Sequence, residues 1–191
     1  MKLSLFIRNK EFHISCGDFA HIYKVTESRE MADNIPLFLK DALDSVNFEQ
    51  CDEIIYSSGP ASFTTARIMN SLIKGLAISR PDLKFTGISN FLTYLHIASQ
   101  TLSDGILAIP TMRGDYFTVV FKNGELGDLE LFNEFDSDVI LDTDKKFDNV
   151  NLAYIQMNIV NIKIVKINDK YIQSTLDINY GFTPKYRATA S

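Results

Sequence analysis

Residues 53–78 read EIIYSSGPASFTTARIMNSLIKGLAI, and this stretch decides the fold. Ile54, Ile55 and Tyr56 form a short apolar run of β-favouring residues, the pattern of a buried strand. Gly59 and Pro60 stop it. Pro60 has no N–H to give to a ladder, and it pushes Gly59 out of the α region. Ser62 or Thr64 can then cap a helix. Ile68, Met69, Leu72, Ile73, Leu76 and Ala77 fall at helical spacing and make its core-facing stripe. A strand, a Gly-Pro turn and a hydroxyl-rich helix start is one way to build an anion site from exposed N–H groups. An ordinary strand-to-helix connection is the simpler reading, because a loop with a single Gly is a weak phosphate signal.

Upstream, residues 3–7, 11–15 and 19–25 read as three strands joined by polar turns, an antiparallel meander that starts the sheet. A helix is expected over 32–46, capped by Asp33 or Asn34, with Pro36 in its first turn. Ile35, Leu39, Ala42, Leu43 and Val46 give it one face, which Phe38 widens. Downstream, Arg80, Pro81 and Asp82 stop the central helix. Residues 84–88 make another strand, and Ser89 caps a helix through about residue 100.

Residues 101–105 read as a boundary between lobes, giving a first lobe over 1–103 and a smaller second lobe over 104–191. Strands are expected at 106–109 and 116–122, and Asn123-Gly124 is the best hairpin signal, with 125–132 returning. Residues 133–149 are acidic and irregular, with a short strand at 139–141. Residues 152–157 and 159–167 are apolar, the latter read as a strand, and 169–178 as a short helix. The last helix and the polar tail, 181–191, are placed back against the first lobe.

Composition limits the function classes. The 191 residues are 46% hydrophobic and 23% charged, ordinary values for a globular protein with a real core. A formal charge of −5 argues against a stand-alone nucleic-acid binder, but not against a protein working beside a basic partner. No apolar run is long enough for a membrane span, and residues 1–8 are too soon charged for a signal peptide. Cys16 and Cys51 form no C-x-x-C pair, so two free thiols in a cytoplasmic protein are expected.

The chemical inventory is thin. His13, His21 and His96 stand in no metal-ligand spacing, and the first two fall in strands. Ser57, Ser58 and Ser62 flank the Gly-Pro turn without a G-x-S-x-G pattern or a His–Asp partner. Cys51 has no basic neighbour to lower its pKa. Asp136, Asp138, Asp142 and Asp144 lack the Gly and terminal Glu of an EF-hand loop and read as a solvated acidic loop. Arg113, Gly114 and Asp115 read as a turn between two strands.

The central stretch resembles a known family. SSGPASFTTARI at 57–68, followed by KGLA at 74–77, is similar to the G-P-G-S-F-T-G-x-R-x-G signature of bacterial TsaB, also called YeaZ. TGISNF at 86–91 is similar to its V-G-V-S-S-L segment, PTMRGDY at 110–116 to its D-A-R-R-G-E-V-Y, and PKYR at 184–187 to its closing P-x-Y-L-R. The resemblance covers about 31–122 and the tail. It implies an α/β, actin-like (Hsp70-like) two-lobed fold with a reduced second lobe. It also implies a non-catalytic subunit that pairs with TsaD in making threonylcarbamoyladenosine in tRNA. TsaE, an ATPase, joins them, and tRNA is met only within the complex.

The sequence departs from the family at telling places. Family members carry an aspartate in the first strand at the phosphate-and-metal corner, where this chain has Ile7 and Arg8. Ala61, Thr65 and Met69 replace glycines of the motif, and a Cβ there blocks close backbone approach. No cofactor is therefore expected, ATP and metal being used by partner subunits, and Gly59, Pro60, Ser62 and Thr64 form a degenerate nucleotide loop. Two other readings stand beside this one. An ATP-using enzyme of the actin-like superfamily, a kinase or carbamoyltransferase, needs carboxylates for Mg²⁺. A peptidase needs a metal triad or an activated nucleophile.

The working surface is expected on the two helices near 32–46 and 63–79. Arg67, Ser71, Gly75 and Ser79 recur every fourth residue, and small side chains at that spacing let another helix approach closely. In the family these helices meet TsaD, so the expected interface is Ile35, Phe38, Leu39, Arg67, Ser71, Gly75 and Ser79. Without a partner the same helices can pair as a homodimer.

Overall fold

Alternation along the first strand, β1 (Lys2–Arg8), sorts its side chains to two faces, as the two-residue period of a strand requires. Leu3, Leu5 and Ile7 enter one apolar cluster and Phe6 enters another. The chain, a computed structural model, is described over residues 1–8, 10–27, 29–110, 116–132, 139–141, 150–161 and 172–173. β2 (Glu11–Cys16) and β3 (Phe19–Lys24) follow as the expected antiparallel meander. β4 (Glu53–Ser57) lies parallel to β1 and is buried throughout. β5 (Lys84–Ile88) lies parallel to β4 on its other side. The 53–57 run is therefore a central strand, as its apolar, β-branched composition predicts.

Two helices cover the Leu3–Leu5–Ile7 face. α1 (Glu30–Ser45) packs on β2 and β3, and α2 (Phe63–Ser79) on β1 and β4. α3 (Asn90–Ala98) lies on the Phe6 face. A second sheet is built from β6 (Asp104–Pro110), β7 (Tyr116–Lys122), β8 (Glu125–Phe132) and β9 (Val139–Leu141), in the order β8-β7-β6-β9. Asn123 and Gly124 turn the β7–β8 hairpin with φ of 51° and 78°, the left-handed pair that such a turn requires. Leu107, Phe117, Val119 and Phe121 of this sheet share one apolar cluster with Phe6, Ile55 and Ile88. Each such side chain removed from water contributes about 1.5–3 kcal/mol.

Several local expectations are corrected. α1 begins at Glu30, so Pro36 lies in its second turn and neither Asp33 nor Asn34 is the cap. The Glu30 carboxylate instead accepts N–H bonds from Thr26 and Glu27, and Asn34 donates back to the Glu30 carbonyl. Ser89 holds the N-cap position of α3 without a side-chain bond, and the helix ends at Ala98. Residues 159–161, read as the start of a strand, close α4 (Leu152–Asn161). The reason is a cap: Asn151 Oδ1 accepts the Tyr154 N–H at 3.0 Å, and helix propagates from it. Ile172–Gln173, placed in a helix from sequence, form β10, antiparallel to β5 at the edge of the first sheet. α4 returns to the first sheet and packs on β1 and β2. Residues 162–167, the acidic Asp136, Asp138, Asp142 and Asp144, the 113–115 turn and the 181–191 tail lie outside the described residues.

Candidate functional site

The Gly-Pro turn sits at the carboxyl end of β4, the place where open α/β sheets expose loop backbone. Its polar atoms are tied to the neighbouring β5–α3 connection. Ser58 N–H donates to the Ile88 carbonyl at 2.9 Å, Asn90 N–H to the Gly59 carbonyl at 2.8 Å, and Asn90 Nδ2 to the Pro60 carbonyl at 2.9 Å. Gly59 takes a φ of +92°, a region that L side chains avoid, and its bond to Pro60 is cis. Ser62 Oγ accepts the Thr65 N–H at 3.2 Å and shares a 2.8 Å bond with the Thr65 hydroxyl, so Ser62 is the cap that the sequence allowed. Thr64 is exposed in the first turn of α2.

The positions where glycines were absent from the motif have other uses. Met69 is 1% exposed and fills the core under α2, and the Thr65 hydroxyl bonds Ser62. Gly87 is required by packing: a Cβ there would come within 2.9 Å of the Tyr56 hydroxyl oxygen and 3.0 Å of Ser58 Cβ. The turn thus packs directly on β5.

Arg8 ends β1 at the same edge of the sheet as the turn, since Leu5 stands opposite Tyr56 in the parallel pair. It is buried, and its Nη2 lies 3.5 Å from the Glu11 carboxylate. Glu11 also meets His13 Nε2 at 3.1 Å and Lys24 Nζ at 2.8 Å. The hydrogen bond from His13 lowers the Glu11 carboxyl most, burial opposes it, and Lys24 adds to the lowering, leaving a pKa of about 2. At the opposite end of β4, burial would raise the Glu53 carboxyl. Hydrogen bonds from Thr86, Lys84 and Lys2 outweigh burial and hold it below its ordinary value. Cys16 and Cys51 lie with sulfurs 3.8 Å apart; burial pushes Cys16 up to about 12 and raises Cys51 too. Among the described residues, no three His, Cys, Asp or Glu side chains come together as metal ligands.

The expected partner residues fall in two groups. Arg67, Ser71, Gly75 and Ser79 line the outward face of α2 and are exposed. Nothing lies within 4 Å of the space where a Gly75 Cβ would stand. The Arg67 guanidinium lies over the Phe63 ring at 5.2 Å. On α1, Phe38 and Leu39 are half-buried, Phe38 stacking on Tyr23 at 4.7 Å. Ile35 is 3% exposed and packs with Met31 and Ala42 in the core, so it leaves the candidate face. Two outward residues were missed: Leu37 on α1, 63% exposed, and Ile78 on α2, 84% exposed. Their signal was available, since each is a large apolar residue off its helix's inner stripe.

The described residues form a mixed α/β fold of two sheets and four α-helices. Neither a protein-family model nor a curated protein matches the chain. Solved structures do. YeaZ from Pseudomonas aeruginosa is similar at a TM-score of 0.56 and 18% identity, over 74% of this chain and 71% of that one. An uncharacterised protein described as similar to peptidase YeaZ from Pseudomonas aeruginosa is comparable, at a TM-score of 0.57 and 18% identity, over 74% of this chain and 70% of the other. The likeness establishes a YeaZ-like fold. Among the described residues, no helix is long and apolar enough to cross a membrane.

Proposed function

We propose that this chain is a TsaB-like, non-catalytic scaffold subunit of the cytoplasmic machinery that makes threonylcarbamoyladenosine in tRNA. It pairs with a TsaD-like catalytic subunit and a TsaE-like ATPase, meets tRNA only inside that complex, and leaves ATP and metal to its partners. The reading includes an actin-like two-lobed ancestry. The observation that supports it best is the YeaZ-like fold with the GPASFT turn at the carboxyl end of its central strand. The turn agrees: the Ser58 N–H and the Gly59 and Pro60 carbonyls are spent on the β5–α3 connection, and β1 brings Arg8 to that corner in place of an acid.

The partner surface is the outward side of α1 and α2, with Leu37 and Ile78 as apolar anchors and Arg67, Ser71, Gly75 and Ser79 around them. An interface there should bury above about 1,000 Å², apolar at its centre and polar at its rim. The same face pairs two copies when the partner is absent. The test is co-purification with the TsaD-like subunit of the same cell, comparing wild type with Gly75→Arg. The open space at Gly75 lets the variant fold, and the long charged chain should abolish the complex. Wild-type affinity in a folded variant would refute the interface. ATP turnover by the lone chain that depends on Ser62 or Thr64 would refute the scaffold role.

A further inference from the structure

The face of the first sheet that receives α4 carries a cluster that the scaffold role does not use. His13 is 1% exposed. Its Nε2 lies 3.1 Å from Glu11 Oε2, and its Nδ1 lies 3.3 Å from the backbone nitrogen of Leu152, the first residue of α4. An ionised carboxylate only accepts and a backbone N–H only donates. The two partners therefore fix a neutral imidazole, with its proton on Nε2 and its lone pair on Nδ1. The Leu152 N–H is one of the first-turn donors that a helix cannot satisfy internally. His13 takes it up as a capping oxygen would. Asn151 completes the docking, donating from Nδ2 to the Ile14 and His21 carbonyls at 3.1 and 3.0 Å. Leu152 and Ala153 are 0% exposed beneath.

Among the described residues, the charges around the ring are Glu11 on β2, Arg8 on β1 and Lys24 on β3. α4 brings no charged side chain, and its Tyr154 is 46% exposed. On the remaining side, Phe6 stands edge-on between His13 and Tyr94 of α3.

We propose that His13 is a proton-sensitive latch, which holds the first turn of α4 on the sheet when neutral and releases it when protonated. A second proton has only Nδ1 to occupy. There it would face the Leu152 N–H donor-to-donor, at the positive end of the helix dipole. Arg8 and Lys24 oppose the added charge. Burial lowers the His13 pKa below its ordinary 6.5, and the bond to Glu11 pulls the other way without overcoming it. The released state therefore takes up the proton more readily. Docking is complete above about 6.5 and is lost as pH falls below it. Glu11, at about 2, stays ionised across this window, so the two groups titrate apart.

The experiment is amide hydrogen exchange, corrected for intrinsic rates, on the full chain and on His13→Gln between pH 7.5 and 5. Protection of the Leu152 amide in wild type should fall as pH drops below about 6.5, by up to roughly tenfold per pH unit until the lower, docked value is passed, and level off beneath it. The fall should be confined to the first turn of α4 and absent from His13→Gln. Flat protection in wild type, or an equal fall in the variant, overturns the latch. If His13→Gln does not fold, ¹⁵N NMR of the wild-type imidazoles decides. The Nε2–H tautomer of His13 must disappear in step with Leu152 protection, and a ring that protonates while protection holds refutes the proposal.

Discussion

The two faces of the first sheet are held by different physics. Toward α1 and α2, β1, β2 and β4 present Leu3, Leu5, Ile7, Phe12, Ile14, Ile54 and Tyr56, and the helices answer with Met31, Ile35, Ala66, Met69 and Ile73. Toward α4, the same strands present Ser4, Ser15, His13 and Glu11 beside Phe6 and Ile55. Ser4 stands opposite Ser15 and Phe6 opposite His13, so this polar stripe follows directly from the pleat. The first face is non-directional and needs only volume and shape. The second needs matched donors and acceptors. Ser4 Oγ reaches Gln156 Oε1 at 3.5 Å, while Gln156 Nε2 and Ser15 Oγ have no hydrogen-bond partner among the described residues. Directional contacts fix where α4 sits, and they make its attachment depend on protons.

The contrast can be broken by substitution. Leu5→Ala on the apolar face should have the largest effect, a loss of about 2–5 kcal/mol from transfer and cavity terms. Urea unfolding should show that loss at pH 7.5 and pH 6 alike, since Leu5 sits within a cluster of apolar side chains. A loss that grows toward acid would show that the faces are coupled.

An acid titration sharpens the contrast next. The Glu11 carboxyl is depressed from 4.5 to about 2, so its contribution is complete above 4.5 and disappears as pH falls toward 2. Glu53 is lowered as well and adds to the same step. The urea midpoint of wild type should drop between pH 4.5 and 2.5, and Glu11→Gln should drop less. Equal drops would mean that the Arg8, His13 and Lys24 contacts of Glu11 contribute nothing.

The smallest effect is expected where the α4 face is imperfectly paired. The double variant Ser4→Ala with Gln156→Met removes together a long hydrogen bond and a buried amide nitrogen that has no partner among the described residues. Losing both partners of a buried bond is close to neutral, within about 1 kcal/mol. Calorimetry showing a loss well above that would mean that Ser4 and Gln156 are better satisfied than their 3.5 Å separation indicates.

Sequence alone determined what local chemistry controls. The apolar run at Ile54–Tyr56 could only be a buried strand, Gly59-Pro60 could only end it, and Ser62 could cap α2 because its oxygen needs only the amide three residues on. Asn123-Gly124 set the β7–β8 hairpin for the same reason, since left-handed φ is a property of those residues themselves. Tertiary structure alone decided the rest. Ile35 and Leu37 are both apolar residues of α1, yet the first is core and the second lies open, because the sheet chooses which side of the helix it covers. Residues 159–161 look like a strand until the Asn151 cap and the apolar contacts of Leu152, Ala153 and Met157 make them helical. His13 reads as an ordinary strand residue. Only the return of α4 across more than a hundred residues of chain puts the Leu152 amide against its free nitrogen. Short-range preferences act within a few residues, whereas burial and hydrogen-bond matching act between elements that the sequence holds far apart.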